Sequence, residues 1–274
     1  MAPFMSKVFE GSKLKNITYV EPYAGGAGAA LALLFTNKVK RIVINDLDKS
    51  IYSFWKSVVN DPKKFIRKIY STPVTINEWK KQKLIYKNPD SKQFALGFAT
   101  FYLNRTNISG ILDGGPIGGL KQKGEWKINA RFNKKGLAKR IRQLSCYQSR
   151  ISIFNEDGLE LIDQYLNKQN AFIYLDPPYY GKGATLYMNH YIKKDHEALA
   201  RKLNGNSNAL WLLTYDNKAK IRSLFQKRKN VNYSLKYNAY KSRLGKELII
   251  LSDPLANSID KLEDMPNIIG RARL

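Results

Sequence analysis

Asp176 stands at the end of an apolar run, Phe172-Ile-Tyr-Leu175, and is followed at once by Pro177, Pro178, Tyr179 and Tyr180. A buried strand would carry that carboxylate to the carboxyl end of a sheet, where ligands of α/β folds bind, and two prolines would hold the backbone after it nearly rigid. A fixed set of acceptors suits a reaction whose difficulty is geometric. The N6 amine of adenine attacks poorly because its lone pair is delocalised into the ring. Asp176 and the Pro177 carbonyl can each accept one amine proton and leave the lone pair aimed at an electrophilic carbon. Tyr179 would stack on a base taken out of a duplex and replace part of the stacking it lost. An ordinary β-turn is the bland alternative, and it fits poorly directly after an apolar strand.

A second constellation lies near the start, in Tyr19-Val-Glu-Pro-Tyr-Ala-Gly-Gly-Ala-Gly-Ala-Ala30. Small residues cluster where a buried strand turns into a helix, so Pro22, Tyr23, Ala24, Gly25 and Gly26 would let backbone approach a ligand near unpaired helix N–H groups. Asp46 follows Gly26 by twenty residues, at the end of the next apolar run. That is where an acidic side chain grips ribose hydroxyls in nucleotide-binding α/β folds. The three-glycine dinucleotide fingerprint is missing, and Glu21 directly before the turn would repel a pyrophosphate. A carboxylate there suits the sulfonium and ammonium of S-adenosylmethionine (SAM). A helix-capping or salt-bridging role for Glu21 is the structural alternative.

These residues need a parallel sheet to bring them together. Short β-branched and aromatic runs alternate with helix-like segments, which is how such sheets read from sequence. The runs predict strands at 17–21, 41–45, 150–154, 172–175 and 210–214. The same rhythm predicts helices at 29–36, 49–59, 158–167, 195–203 and 218–226. At the end, runs at 232–237 and 247–252 flank Gly245 and predict an antiparallel edge hairpin that turns at that glycine. Between about residues 54 and 149 the rhythm stops, and the segment turns basic, aromatic and locally Gly-rich. The chain therefore divides into a catalytic domain over 1–53 and 150–274 and an insert over 54–149, in which Asp113-Gly-Gly-Pro-Ile-Gly-Gly119 reads as loop.

Lys and Arg number 47 against 22 acidic residues, a formal charge of +25. Self-repulsion of that size suits a protein whose working partner is a polyanion, while codon bias is the neutral explanation. Hydrophobic content of 43% argues against a disordered basic tail. The single cysteine, Cys146, excludes an intramolecular disulfide and a Cys-based zinc cluster and fits a reducing compartment. The longest apolar stretch, Ala29 to Phe35, is far shorter than the roughly 20 residues that span a bilayer. The reading is thus a cytoplasmic protein of a bacterium, archaeon or phage, with no membrane partner. No metal is assigned to His190, His196 or any other residue, because methyl transfer from SAM needs none.

With both motifs in place, the sequence resembles the Dam-like group, the D12 class alpha group, of site-specific DNA adenine-N6 methyltransferases, in which the glycine-rich motif precedes the recognition insert and Asp-Pro-Pro-Tyr follows it. Thr100-Phe-Tyr-Leu-Asn-Arg-Thr-Asn-Ile-Ser-Gly110 is similar to that family's Phe-x-Leu-Asn-Arg signature. Lys123-Gly-Glu-Trp-Lys-Ile-Asn129 resembles its Gly-x-(Phe/Trp)-Asn-(Val/Ile) stretch, and Ser242-Arg-Leu-Gly-Lys-Glu-Leu-Ile-Ile250 its closing hairpin. The resemblance implies a Rossmann-like mixed sheet with an antiparallel edge hairpin and a small, mainly helical target-recognition insert. It implies SAM as cofactor and transfer of its methyl group to N6 of a flipped adenine in double-stranded DNA. Asp46 would bind the ribose and Asp157 would lie near the cofactor adenine, although Asp157 also reads as the N-cap of the helix that follows. Asp176, Pro177 and Tyr179 would hold the target base. Tyr102, Asn104 and Arg105 become residues of the DNA-contacting region, with Arg105 a phosphate or structural contact and Asn104 equally able to satisfy backbone groups.

This chain departs from the family at its N-terminus, which lacks a Lys-Trp-x-Gly-Gly-Lys element and leaves too few residues before Tyr19 for the usual helix. Ala27 also stands where a glycine is common. The alternative reading is accordingly a catalytically weak or silent DNA-binding or specificity subunit that needs a partner for SAM binding. Methylation of RNA or of a protein amide is a further rival, disfavoured for the amide because Asn typically stands in place of Asp176. For DNA, the basic stretches Lys63-Lys64, Lys80-Lys81-Lys83, 121–142 and Lys227-Arg228-Lys229 would contact phosphates, Lys121 and Lys123 among them. Arg131, Lys134 and the 113–119 loop would read a groove. A cognate restriction enzyme or partner subunit completes the expected set of partners.

Overall fold

A computed structural model describes residues 1–11, 14–180, 191–206, 208–237 and 243–259. Seven strands form one mixed sheet in the order β3-β2-β1-β4-β5-β7-β6. They are β1 (Thr18–Glu21), β2 (Arg41–Asn45), β3 (Ile151–Phe154), β4 (Ala171–Leu175), β5 (Leu210–Asp216), β6 (Lys229–Tyr237) and β7 (Arg243–Leu251). β1 pairs in parallel with β2 and β4, and β4 with β5; β7 runs antiparallel to β5 and to β6. From β1 the chain works outward to β2 and β3 on one side and to β4 and β5 on the other. The carboxyl ends of β1 and β4 therefore flank the point where the strand order reverses, which is where open α/β sheets bind ligands.

The central strands are mainly apolar, with polar residues chiefly toward their carboxyl ends, as parallel sheets covered on both faces require. Val20, Val43, Ile173, Leu175, Trp211, Leu213, Leu248 and Ile250 share one buried cluster with Leu161, Ile162, Leu199 and Leu203. Those last four come from helices α8 (Gly158–Leu166) and α9 (Lys193–Asn204), and α2 (Gly28–Phe35), α10 (Ala219–Leu224) and α11 (Asp253–Ile259) complete the set around the sheet.

Two expectations are corrected here. The N-terminus does form a helix, α1 (Ala2–Gly11), with Phe4, Met5, Val8 and Phe9 buried along one side and the Phe9 ring set edge-on to Phe172 at 4.8 Å. That i, i+1, i+4, i+5 spacing is sufficient for an amphipathic helix. Gly245, expected as the hairpin turn, lies inside β7 opposite Leu235. A glycine weakens a strand without ending it, and the residues joining β6 to β7, Ser242 among them, lie outside the described residues, as do His190 and Ser12-Lys13 of the N-terminal stretch.

By contacts the chain separates into two compact units, the described parts of Met1–Leu47 with Phe154–Leu274, and Asp48–Ile153. The second unit is helical: α3 (Lys49–Asn60), α4 (Pro62–Ser71), α5 (Ile76–Lys87), α6 (Gln93–Thr106) and α7 (Lys134–Ser145). The whole of α3 goes with it, whereas a boundary at residue 53 would cut that helix. Phe54 and Trp55 explain why, since Phe54 stacks on Phe101 of α6 at 6.1 Å and meets Phe65 of α4 at 6.0 Å. Asp48, Asp61, Thr75 and Asn133 cap α3, α4, α5 and α7 with side-chain acceptors. Among the described residues no helix is long and apolar enough to cross a membrane.

Candidate active site

β1 delivers Glu21 to a turn over residues 22–27 that leads into α2. Gly25 and Ala27 both take left-handed backbone there, each with φ of 47°. For alanine this conformation costs about 1–2 kcal/mol, the consequence of an Ala at a position that favours glycine. A Cβ built on Gly25, Gly26 or Gly28 would meet nothing within 4 Å, so the turn opens onto free space. The Gly25 N–H donates to Asp46 Oδ2 at 2.9 Å, which joins the turn to the acid at the end of β2.

Glu21 is buried. Its Oε1 accepts the Tyr19 hydroxyl at 2.9 Å and the Ala30 N–H in the first turn of α2 at 3.0 Å, so the helix-capping geometry is present. Loss of hydration pushes its pKa up to about 8, against the pull of those two bonds, and the Asp176 charge adds to the rise. Tyr23 shares a 2.6 Å hydrogen bond with the Tyr191 hydroxyl. Its ring lies so close over Gly158 that a Cβ there would come within 2.4 Å of it. Beside Gly158, Asp157 accepts the Leu159 N–H at 2.7 Å as the N-cap of α8.

One residue unforeseen from sequence ties these loops together. Asn45, fully buried, donates to the Pro22 and Glu156 carbonyls at 2.9 and 3.0 Å and accepts the Glu156 N–H at 2.8 Å. Its signal was an amide at the end of an otherwise apolar strand.

β4 carries Asp176 to the sheet's carboxyl end, next to Glu21 on β1. Thr214 of β5 donates its hydroxyl to Asp176 Oδ1 at 2.8 Å and also contacts the Tyr174 hydroxyl at 3.2 Å. The Asp176 side chain is exposed to solvent at the end of the strand. Desolvation pushes its pKa up to about 6; the Thr214 bond opposes the rise and the Glu247 charge assists it. Pro177 is buried and Pro178 half-buried. Tyr179 is half-buried, its hydroxyl donating to Glu247 Oε1 at 2.7 Å, and the Tyr180 N–H donates to Asp216 Oδ1 at 3.0 Å. The motif after β4 is therefore pinned at both tyrosines by acids from β5 and β7. Neither acid was singled out from sequence.

In the helical unit the predicted DNA residues part company. Tyr102 is fully buried between Phe98 and Phe132, its hydroxyl donating to the Pro73 carbonyl at 3.2 Å, so its part there is packing. Lys134 donates to the Tyr70 and Thr72 carbonyls at 2.9 and 2.7 Å and so caps the end of α4 rather than extending outward. Arg105 is half-buried and donates to the Arg131 carbonyl at 3.1 Å; desolvation and then the charges of Arg131 and Arg140 lower its pKa. Asn104 is exposed and donates to the Gly110 carbonyl at 3.1 Å, while Arg131 reaches the Asn107 carbonyl at 3.4 Å. Lys121 and Lys123 are exposed. Outside this unit, Arg228 is turned inward, donating to the Asp253 carboxylate and, at 2.8 Å, to the Asn204 carbonyl.

The Gly-rich loop has an organiser that sequence reasoning missed. Asn107, fully buried, accepts the Trp79 indole N–H at 2.6 Å and donates to the Ile111 and Leu112 carbonyls at 2.7 and 3.0 Å. Lys83 adds a 2.7 Å bond to the Leu112 carbonyl, and Asn107 pairs with Pro116 as an isolated bridge. The loop is thus held from beneath by α5.

Over 191 residues the chain is 25% identical to a protein of Methanocaldococcus jannaschii described as Type II methyltransferase M.MjaIII, covering 65% of this chain and 63% of that relative. The chain thus spans less than two thirds of the relative's length. Residues 1–241 match a single family description, and on that match, with Asp176 at the β4 end and the glycine turn at the β1 end, the chain belongs to the D12 class N6 adenine-specific DNA methyltransferases.

Proposed function

We propose that this chain transfers a methyl group from SAM to the N6 amine of an adenine swung out of duplex DNA. The observation that carries the reading is the placement of Asp176: a carboxylate on a rigid turn, at the sheet's switch point, beside the glycine turn of β1. The turn fits SAM because its open glycine surface, the buried Glu21 and Asp46 offer room for an adenosine and acids for a cation. Asp46 would take the ribose hydroxyls, Glu21 would face the methionine end with Pro22, Tyr23 and Ala24 lining it, and Asp157 would approach the adenine. Bound there, SAM supplies a methyl carbon made electrophilic by its sulfonium. Asp176 and the Pro177 carbonyl would each accept a hydrogen bond from the N6 amine and direct the lone pair at that carbon. The S–C bond pair would go to sulfur, and the one surplus N6 proton would leave by way of Asp176 to solvent. Pro178 would hold the turn, and Tyr179 would stack on the base.

The 48–153 unit would act as the target-recognition insert, with Lys121, Lys123, Asn104, Arg105 and Arg131 toward DNA. Supporting this are its exposed lysines and the loop braced on Asn107. Its setting would be the cytoplasm of a bacterium, archaeon or phage-infected cell, and a cognate restriction enzyme is the partner to seek. Incubation with labelled SAM and unmethylated plasmid DNA, RNA or peptide tests the reading; label entering RNA or peptide alone overturns it. The silent-subunit alternative predicts no heat on titrating SAM to millimolar concentration while DNA binding persists.

Two expected results follow from the braced loops. Asp46→Ala removes a ribose hydrogen bond to a charged acceptor, worth roughly 1.5–3 kcal/mol, so the KM for SAM should rise about 10- to 150-fold with DNA affinity unchanged. Steady-state kinetics at saturating DNA reads this, and an unchanged KM contradicts the ribose role. Asn107→Ala leaves the Trp79 indole N–H unpaired, removes the side-chain bonds to the Ile111 and Leu112 carbonyls and releases the loop. Protease cleavage within residues 108–119 should become measurably faster, and the KM for plasmid DNA should rise roughly tenfold. A loop as resistant as before would show that Asn107 does not shape it.

A further inference from the structure

We infer that Glu247, on strand β7 of the edge hairpin, is a positioning residue for methyl transfer, acting by locking the ring of Tyr179 through their hydroxyl–carboxylate hydrogen bond. The inference rests on the proposed stacking role of Tyr179 and assigns a group that acts through it.

Glu247 is 3% exposed, and the four residues after it, Leu248 to Leu251, are all buried apolar side chains of the same strand. A carboxylate at such a place costs several kcal/mol in lost hydration unless bonded, and a hydrophobic residue would continue the strand's pattern at no such cost. The register sets Glu247 opposite Asp216 of β5, so β7 brings it to the end of the sheet that carries Asp176. There it accepts the Tyr179 hydroxyl at 2.7 Å. The hydroxyl oxygen lies on the axis about which the ring turns, so its bond fixes the first side-chain torsion. Because a phenolic O–H keeps to the plane of its ring, a carboxylate in a set position also favours one ring plane. An ionised acceptor makes that bond about twice as strong as a neutral one. Nothing in the backbone of the Asp-Pro-Pro-Tyr turn orients the ring itself, because the prolines constrain only the main chain. A ring left free to rotate would still contact a base, but would not hold it in the plane that sets N6 between Asp176 and the Pro177 carbonyl. That plane matters to the chemical step more than to DNA capture.

The test is a set of variants of the full chain, assayed with labelled SAM and unmethylated plasmid DNA. Tyr179→Phe keeps the stacking ring and removes the bond; Glu247→Leu removes it from the other side. Each should lower kcat about tenfold, the worth of one charge-assisted hydrogen bond, with the KM for DNA changed less than about twofold. The Tyr179→Phe/Glu247→Leu double variant should be no slower than either single one, because the two changes delete one interaction. Glu247→Gln, which keeps an acceptor oxygen, should restore most of the rate. Additive losses, or a Glu247→Leu enzyme that melts earlier but turns over normally, would overturn the inference. Should Glu247→Leu fail to fold, the Tyr179→Phe and Glu247→Gln rates decide: a normal Tyr179→Phe rate overturns it. Tyr179→Ala separates the two layers. A dead Tyr179→Ala beside normal Tyr179→Phe and Glu247→Leu enzymes sinks the inference alone, and a normal Tyr179→Ala sinks the stacking role as well.

Discussion

Asp176→Ala is expected to lower the methylation rate by at least about a thousandfold, with affinity for duplex DNA and for SAM retained within about twofold. The loss falls on kcat because the carboxylate is needed where the amine must be reshaped, and binding of DNA draws on many dispersed cations instead. Near-normal turnover would contradict the assigned role. The same residue sets a pH dependence. Asp176 must be ionised to accept the amine's hydrogen bond at full strength and then the one proton released, and its pKa is pushed up to about 6. The rate should therefore fall tenfold per pH unit below about 6, where an unperturbed aspartate would hold it constant to near 4.

The sign for stability runs the other way. The folded state holds this proton more tightly than the unfolded chain, whose aspartate titrates near 3.8. The resulting contribution is present below that value and is lost as pH rises through 6, so at neutral pH the ionised group weighs against the fold. Asp176→Asn keeps an oxygen for the Thr214 hydroxyl and carries no charge. It should be as inactive as the alanine variant yet melt higher than the parent at pH 8, a trade of stability for activity. Thermal melts at pH 5 and pH 8 read the difference; an equal shift at both pH values would exclude a charge effect.

Why these residues were visible in the sequence, and others not, follows from how locally each is determined. Asp176 announces itself because an apolar run, an acid and two prolines are adjacent in the chain, and the turn they form depends on nothing distant. Asp46 was legible for the same reason, through its distance from the glycine turn along a strand–helix–strand unit. Buried polar hubs are different. Asn45 ends β2, Asn107 follows α6 and Glu247 lies within β7, and only tertiary packing decides whether such a polar residue meets water or partners inside the protein. Tyr102, Lys134 and Arg228 failed in the opposite direction, since a tyrosine beside a conspicuous Asn-Arg pair or a cation in a basic run looks available, yet each is satisfied inside the protein. The helix over Ala2–Gly11 was readable from Phe4, Met5, Val8 and Phe9, whose spacing is a plain amphipathic pattern.

Gly97 lay outside every motif, and its substitution should nevertheless have the second largest effect. It sits on α6 where α3 crosses most closely: an added Cβ would fall 2.3 Å from the Ser53 carbonyl oxygen, 2.6 Å from its carbon and 2.8 Å from Ser57 Oγ. Two of those three atoms are helix backbone, which cannot rotate aside as a side chain could, so the helices must separate. Their separation would loosen the Phe54–Phe101 stack and the aromatic cluster around Phe65. Overpacking of this kind costs about 3 kcal/mol, enough to lower the melting of a unit this size by roughly 10–20 °C. Gly97→Ala should therefore abolish DNA binding at 37 °C through loss of the 48–153 unit. SAM binding, whose proposed residues all lie in the other unit, should persist in calorimetry. Gly115→Ala is the control for the melting measurement alone, because its Cβ would meet nothing within 4 Å. If Gly97→Ala melts with the parent, the close crossing of α3 and α6 is not what holds the helical unit together.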